Sequence, residues 1–377
     1  MPECNNPLWP CAMTGAAACL AGFEGMTVVI HGSSGCYYYP ATFLHTNLHG
    51  TFLLENEVIF GSEERLHEVI GGLAGTGDRI AVITTCVSAL LGEDIRAILE
   101  EYDVLLVDSP GFSGDLETGY KKALALLSAQ VDPSREGVNI DGVCMADLFS
   151  RGNVQEVCRL LQKASVPVGT VFCQDLLEKT RSSSPFTIGT NEDFTSGIGS
   201  YLGGTLGFDA IQATFEKIGN EVEGSNIDPV IKELRQQNEE TDRVCDKYLR
   251  RYDPPSVMIF AGTSYAEFAA KTLGHYLDAD ILYIGTRNVC TLSGYPAGQV
   301  AGLGEAKTLI DHYNPDLVIG SSFERSVAKG RAFTGIIPPL RGVVKLAPIP
   351  LAGIGGTLSF VEQVLNASMD AHRPASG

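Results

Sequence analysis

Short apolar runs alternate along the chain with stretches whose apolar residues recur at helical spacing. The runs at 27–31, 79–85 and 104–108 form one set, and those at 137–144, 166–172 and 186–189 a second. A third comprises 257–261, 281–285, 316–320 and 343–347. They are apolar at successive positions, as strands of a parallel sheet covered by helices on both faces must be. Between them the pattern predicts helices at 63–73, 93–102, 119–127 and 153–164, and a long charged helix over about 229–251 that stops at Asp253-Pro254-Pro255. Strand–helix alternation implies right-handed crossovers. The expected fold is therefore α/β: three Rossmann-like, doubly wound domains with parallel sheets, spanning 1–134, 135–225 and 226–377.

Composition agrees with several packed units. A length of 377 residues suits two or three α/β domains, and 44% hydrophobic against 19% charged residues supports a large core. The formal charge of −18, from 45 acidic and 27 basic side chains, argues against nucleic acid and against an anionic membrane surface. No apolar run reaches the roughly 18 residues that span a bilayer. The first residues, Met1-Pro2-Glu3-Cys4, lack the basic-then-apolar order of a signal peptide. The expectation is a soluble cytoplasmic protein. A plain dinucleotide-binding dehydrogenase is disfavoured, since no Gly-x-Gly-x-x-Gly follows a strand. Nor is there a Gly-x-x-x-x-Gly-Lys-Ser/Thr loop, so the chain is not itself an ATPase.

Ten cysteines change the picture. Cytosolic thiols stay reduced, so a disulfide framework explains them poorly, and several will be small buried hydrophobes. Chemistry in parallel sheets gathers at the carboxyl ends of strands. Cys36 falls in the loop after the first strand, in His31-Gly32-Ser33-Ser34-Gly35-Cys36, and Cys86 ends the second, in Thr84-Thr85-Cys86. The two glycines of the first loop let backbone pass close to a bulky object. Cys11 lies ahead of the first strand, in a loop opened by Pro7 and Pro10. Three cysteines on one rim form a soft ligand set, suited to iron–sulfur clusters or zinc. The chain has no Cys-x-x-Cys knuckle, which argues against structural zinc. Spacing alone leaves ordinary buried thiols as the alternative.

At these residues the sequence resembles the two homologous subunits of nitrogenase component 1 and their relatives, among them cofactor-scaffold proteins and tetrapyrrole reductases. Cys11-Ala12-Met13-Thr14-Gly15-Ala16, Ala21-Gly22-Phe23-Glu24-Gly25 and the His31–Cys36 loop are similar to the family's opening segment and its His-Gly-x-x-Gly-Cys loop. Phe60-Gly61-Ser62 resembles its Phe-Gly-Gly turn, and Thr84-Thr85-Cys86 with Leu91-Gly92-Glu93-Asp94 its Thr-Thr-Cys…Ile-Gly-Asp-Asp motif. Ser109-Pro110-Gly111-Phe112-Ser113-Gly114 with Thr118-Gly119-Tyr120, and far downstream Asn314-Pro315-Asp316-Leu317-Val318-Ile319-Gly320, follow in the family's order. The resemblance is dense over 11–120 and thinner beyond.

The resemblance implies that Cys11, Cys36 and Cys86 ligate an iron–sulfur cluster, four-iron or larger, at a subunit interface. Remaining ligands would come from a homologous second subunit or a second copy of the chain, in a dimer or tetramer. It also implies a separate ATPase iron protein as electron donor, with ATP used by that partner, and a substrate or second cofactor in a cavity between the three domains. Two departures qualify it. Where nitrogenase holds its substrate-reducing cofactor by a cysteine and a histidine, this chain has Thr190-Asn191 and the histidine-free stretch Pro348–Gly356. The implied role is thus that of a subunit lacking those cofactor ligands, or of a short reductase relative; a non-catalytic scaffold for building a metal cofactor is the alternative. Substrate and cluster nuclearity stay open.

Other candidates carry weaker signals. Cys4, Cys19, Cys158 and Cys245 read as bystanders or structural thiols. Cys144 and Cys173 end strands and point toward a candidate cavity, which Cys290 could line. His31 is expected to orient the loop backbone, and His45 and His49 are spaced to share a helix face. Glu324, Arg325 and Lys329 follow a late strand, where they either start a helix or meet an anionic group.

Overall fold

The computed structural model describes residues 7–372, except 45, 47, 289–291 and 345. Cys4, His45 and Cys290 fall outside the described residues. The apolar runs pair as parallel strands in three sheets. β1 (Met26–His31), β2 (Leu48–Gly50), β3 (Arg79–Thr84) and β4 (Val104–Val107) form the first, ordered β2-β1-β3-β4. β5 (Val138–Asp141), β6 (Val168–Val171), β7 (Phe186–Gly189) and β8 (Ser200–Gly204) form the second, ordered β6-β5-β7-β8. The third sheet runs β11-β10-β9-β12-β13, from β9 (Ser256–Ala261), β10 (Asp280–Thr286), β11 (Ala297–Gln299), β12 (Leu317–Gly320) and β13 (Ala332–Gly335). The α/β class with parallel sheets is as the sequence pattern anticipates.

Two details differ. The apolar run at 343–347 forms no strand over its described residues; Val344 and Leu346 are almost fully exposed, so their hydrophobicity finds no sheet to enter. The strand that completes the third sheet is β13 instead. The helix expected at 93–102 shrinks to Ile95–Ile98, because the stretch after it turns immediately into β4. His49 lies on β2 and so shares no helix face with position 45.

One buried cluster runs through all three sheets, taking in Ile30, Ile140 and Ile259. Specific polar contacts fix the units to one another. Tyr120 donates from the first to the backbone carbonyl of Val143 in the second, at 2.9 Å. Asn153, on the helix Ser150–Lys163, accepts from the Leu351 and Ala352 amides at 2.7 and 2.9 Å and donates to Tyr265. The stretch around 348–356 is therefore occupied in docking the C-terminal helix Gly353–Ala371 against the helix Ser150–Lys163. The buried ion pair Arg287–Glu324, 2.5 Å apart, binds the carboxyl ends of β10 and β12. Glu324 also caps the helix Ser322–Val327, so its role is structural. Among the described residues no helix is long and apolar enough to cross a membrane.

A tight contact in the first unit joins the helices Ala12–Leu20 and Leu116–Leu126. A Cβ on Gly119 would lie 1.7 Å from the Ala12 carbonyl oxygen, and one on Gly15 1.9 Å from that of Leu116. Only glycine permits this approach. Replacing Gly119 by Ala should destabilise the chain by about 3 kcal/mol, the upper range for overpacking. Chemical unfolding of G119A beside the wild type measures it, and equal midpoints would contradict the tight crossing.

Candidate functional site

β1 and β3 run in register to His31 opposite Thr84, so the loops that follow leave the sheet side by side. Gly32 passes directly over Thr85: a Cβ there would sit 2.0 Å from Thr85 Oγ1. Cys36 then lies in the first turn of the helix Ser34–Leu44, and Cys86 opens the short helix Cys86–Leu91. Cys11 caps the helix Ala12–Leu20 and bridges to Asp115, while the Ala12 amide donates to Gly114. The glycine crossing thus presses Cys11 against the turn Gly111–Ser113.

Gly111 lies between two of the thiols. A Cβ at this position would come within 3.1 Å of Cys86 Sγ and 3.2 Å of Cys11 Sγ. Cys36 is near enough to both sulfurs to feel their charge. Burial pushes the Cys36 thiol up; the Ser33 hydroxyl opposes this, Cys86 and Cys11 add to it, and the Thr85 hydroxyl again opposes it. Ser33 Oγ donates to Cys36 Sγ at 3.8 Å, and Thr14 Oγ1 lies 3.7 Å from Cys11 Sγ. Thr85 Oγ1 is buried and makes no hydrogen bond of ordinary geometry, although it is close enough to Cys36 to favour the thiolate; Ser109 Oγ is likewise unpartnered. All three cysteines are half-buried at one rim. Among the described residues no three His, Cys, Asp or Glu groups converge tightly enough to hold one metal ion.

His31 is wholly buried, and burial drives its imidazole down to about 4, a shift that Glu93 only partly offsets. Its hydrogen bonds form one chain. Ser62 donates to Glu93 at 2.5 Å, so its oxygen accepts from His31 Nε2 at 3.2 Å. Nδ1 must then accept from Thr51 Oγ1, also at 3.2 Å, and that oxygen accepts the Gly32 amide at 3.0 Å. A neutral ring therefore anchors the loop that carries Cys36, the orienting role the sequence suggests.

The remaining cysteines separate from this set. Cys19, Cys144, Cys173 and Cys245 are buried in the core; Cys173 lies 3.5 Å from Cys19 and 2.9 Å from the Tyr120 hydroxyl. Cys144 and Cys173 thus face packed interior. Where residues of the three sheets meet, around Trp9, Asn191, Asp193 and Tyr265, the free space is about 20 Å³, room for about one water. Thr190 bonds backbone carbonyls of the middle sheet there, and Asn191 caps a turn.

A buried acid at that junction has no counterpart in the sequence reading. Glu117 accepts from Trp9 Nε1 through both oxygens, at 3.0 and 3.2 Å. It follows Asp115, whose side chain caps the helix, and so reads in sequence as an ordinary exposed first-turn carboxylate.

Comparison with known proteins now adds to this geometry. The family model for nitrogenase component 1 type oxidoreductases matches residues 11–188, which contain all three half-buried rim cysteines. Over that stretch, just under half of its length, the chain matches the nitrogenase component 1 superfamily. Within it, the chain is 29% identical over 176 residues to the nitrogenase iron-molybdenum cofactor biosynthesis protein NifE of Clostridium pasteurianum, covering 42% of this chain and 39% of that one. It is 27% identical over 245 residues to the nitrogenase molybdenum-iron protein beta chain of Bradyrhizobium diazoefficiens, covering 56% and 44%. The alignments thus span about two fifths of those relatives. The solved structure of nitrogenase Cp1 at pH 6.5 shares the superfamily fold at a TM-score of 0.82 and 17% identity, over 97% of this chain and 93% of that one.

Glu117 gives the junction a measurable signature. Burial, with Asp193 and then Asp115 adding to it, pushes its carboxyl from 4.5 to about 8, against the Trp9 bond. The folded state holds this proton more tightly than the unfolded chain does. Its contribution is therefore full below about 4.5 and is lost as pH rises toward 8, at up to about 1.4 kcal/mol per unit. Asp193, raised by burial to about 6, acts in the same direction. His31 acts oppositely between about 4 and 6.5. The Glu117→Gln variant should lose less stability than wild type between pH 5 and pH 8, as urea unfolding at each pH would show. Parallel losses in the two proteins would mean that Glu117 titrates normally.

Proposed function

We propose that this chain is the cluster-binding, catalytic-component subunit of a nitrogenase-like, ATP-dependent reductase, with Cys11, Cys36 and Cys86 as its iron–sulfur ligands. The observation that carries the reading is Gly111: bare backbone stands between Cys11 and Cys86 where any side chain would fill the space beside the sulfurs. The donor set fits, since thiolates are the usual ligands of iron–sulfur clusters. The family match, which runs through all three cysteines, also supports it.

Bound there, a cluster supplies one-electron transfer. The chain's own part is to hold, orient and tune. The three thiols ligate as thiolates and release their protons on loading. Hydroxyls of Ser33, Thr14 and Thr85 stand where they can bond sulfur, a means of setting the potential. Neutral His31 fixes the Cys36 loop without placing a positive charge beside it. The half-exposed rim leaves one side for a homologous subunit or a second copy to complete the ligand set. Electrons would arrive from a separate ATP-hydrolysing iron protein in the cytoplasm, where thiols stay reduced. We read the three sheets as three domains, divided near 134/135 and 225/226.

A second reading is a scaffold for assembling a metal cofactor. The similarity to the biosynthesis protein NifE, 29% over 176 residues, favours it.

Purification without oxygen, followed by iron and acid-labile sulfide analysis and electron paramagnetic resonance, tests the ligand assignment. Wild type should carry both elements. Cys36→Ala and Gly111→Val should lose most of them, while C36A and cluster-stripped wild type melt alike. Colourless, iron-free wild type that assembles as well as C36A would end the assignment. ATP-dependent reduction by an added nitrogenase iron protein separates the two roles: electron uptake with substrate turnover supports the reductase, and retained cofactor precursor without turnover supports the scaffold.

A further inference from the structure

The third sheet ends at β13, whose outer flank meets no further strand among the described residues. Between that strand, the helix Ser322–Val327 and the C-terminal helix lies a hollow of about 620 Å³, in the size range of small-molecule sites. Arg325, Lys329 and Arg331 line it, and none has an ion pair among the described residues. Asp370 is the one carboxylate on its wall. Such a gathering of basic groups stands out in a chain of net charge −18.

Two further observations point to a ligand. Thr334 lines the hollow at 3% exposure, and its Oγ1 has no hydrogen-bond partner. A buried hydroxyl left unpaired is unfavourable. Arg331 gives one terminal nitrogen to Asn314 Oδ1 at 3.0 Å, but its Nε is buried and unpartnered. The Arg325 guanidinium is held over the Phe333 ring, 5.7 Å from its centre, which limits its freedom before any ligand arrives.

We propose that this hollow binds a small molecule carrying a di- or triphosphate group. Three cations against one carboxylate match a multiply charged anion, and guanidinium forks with a hydroxyl suit several oxygens on adjoining tetrahedral centres. The site belongs to a different sheet from the rim thiols and does not depend on their role.

Isothermal titration of the full chain with inorganic pyrophosphate, ADP and citrate at low salt tests the proposal. Saturable pyrophosphate binding is expected, weakened roughly tenfold or more in the double variant Arg325→Ala/Lys329→Ala. Those two side chains are exposed, so the variant should melt like wild type. Thr334→Val should weaken binding severalfold. ADP binding tighter than pyrophosphate would identify a nucleotide as the natural source; equal or weaker ADP binding would identify free pyrophosphate. No saturable binding of either, unchanged binding by the double variant, or citrate binding as tightly as pyrophosphate would overturn the proposal.

Discussion

Everything at the rim depends on two helices touching through glycine. Because Gly15 and Gly119 let backbone meet backbone, Ala12–Leu20 and Leu116–Leu126 lie closer than any side chain would allow. That contact carries the start of one helix, with Cys11 at its cap, against the turn preceding the other. Gly111 is thereby delivered between Cys11 and Cys86. The sheet makes the second half of the arrangement. β1 and β3 end in register, and Gly32 crosses Thr85 so closely that the Cys36 and Cys86 loops become one surface. Hydrophobic burial builds the units, but backbone proximity decides where their sulfurs stand.

The polar interior follows the same logic of fixing rather than driving. Asn153 satisfies two backbone amides of the approaching C-terminal segment, and Arg287 neutralises Glu324 between two strand ends. Each is fully buried and paired, so each makes one docking geometry far better than its neighbours. The His31 chain does this at the rim: four side chains and one amide are satisfied only when the ring is neutral and turned one way.

How much of this the sequence discloses depends on whether a feature is local. β1, β3, β9 and β12 are legible because nearly every side chain in them is buried. The sequences of β2, β8, β11 and β13 are not. Each is three to five residues long, contains glycine and lies at a sheet edge, where one neighbour suffices. The run 343–347 misleads for the converse reason: it has strand composition, but its described residues join no sheet. Cys36 and Cys86 are legible as neighbours because they follow adjacent strands. Glu117 is not, since its partner Trp9 lies 108 residues away and only the helix crossing brings them together. Arg325 and Lys329 stand out as residues, Arg331 does not, and the hollow they share is walled by a helix that begins at Gly353.

The rim has an unequal inheritance built into it. Cysteines 11, 36 and 86 are half-buried, so smaller residues can replace them without disturbing the core. Glycines 15, 32 and 119 meet other chain atoms at 2.0 Å or less the moment a Cβ is added. A lineage that stopped using the thiols would be free to lose them and keep its shape, while the glycines would stay under selection. Descendants could then carry the whole outline of the site with no sulfur in it. In such a family the glycines record ancestry, and the cysteines record present use.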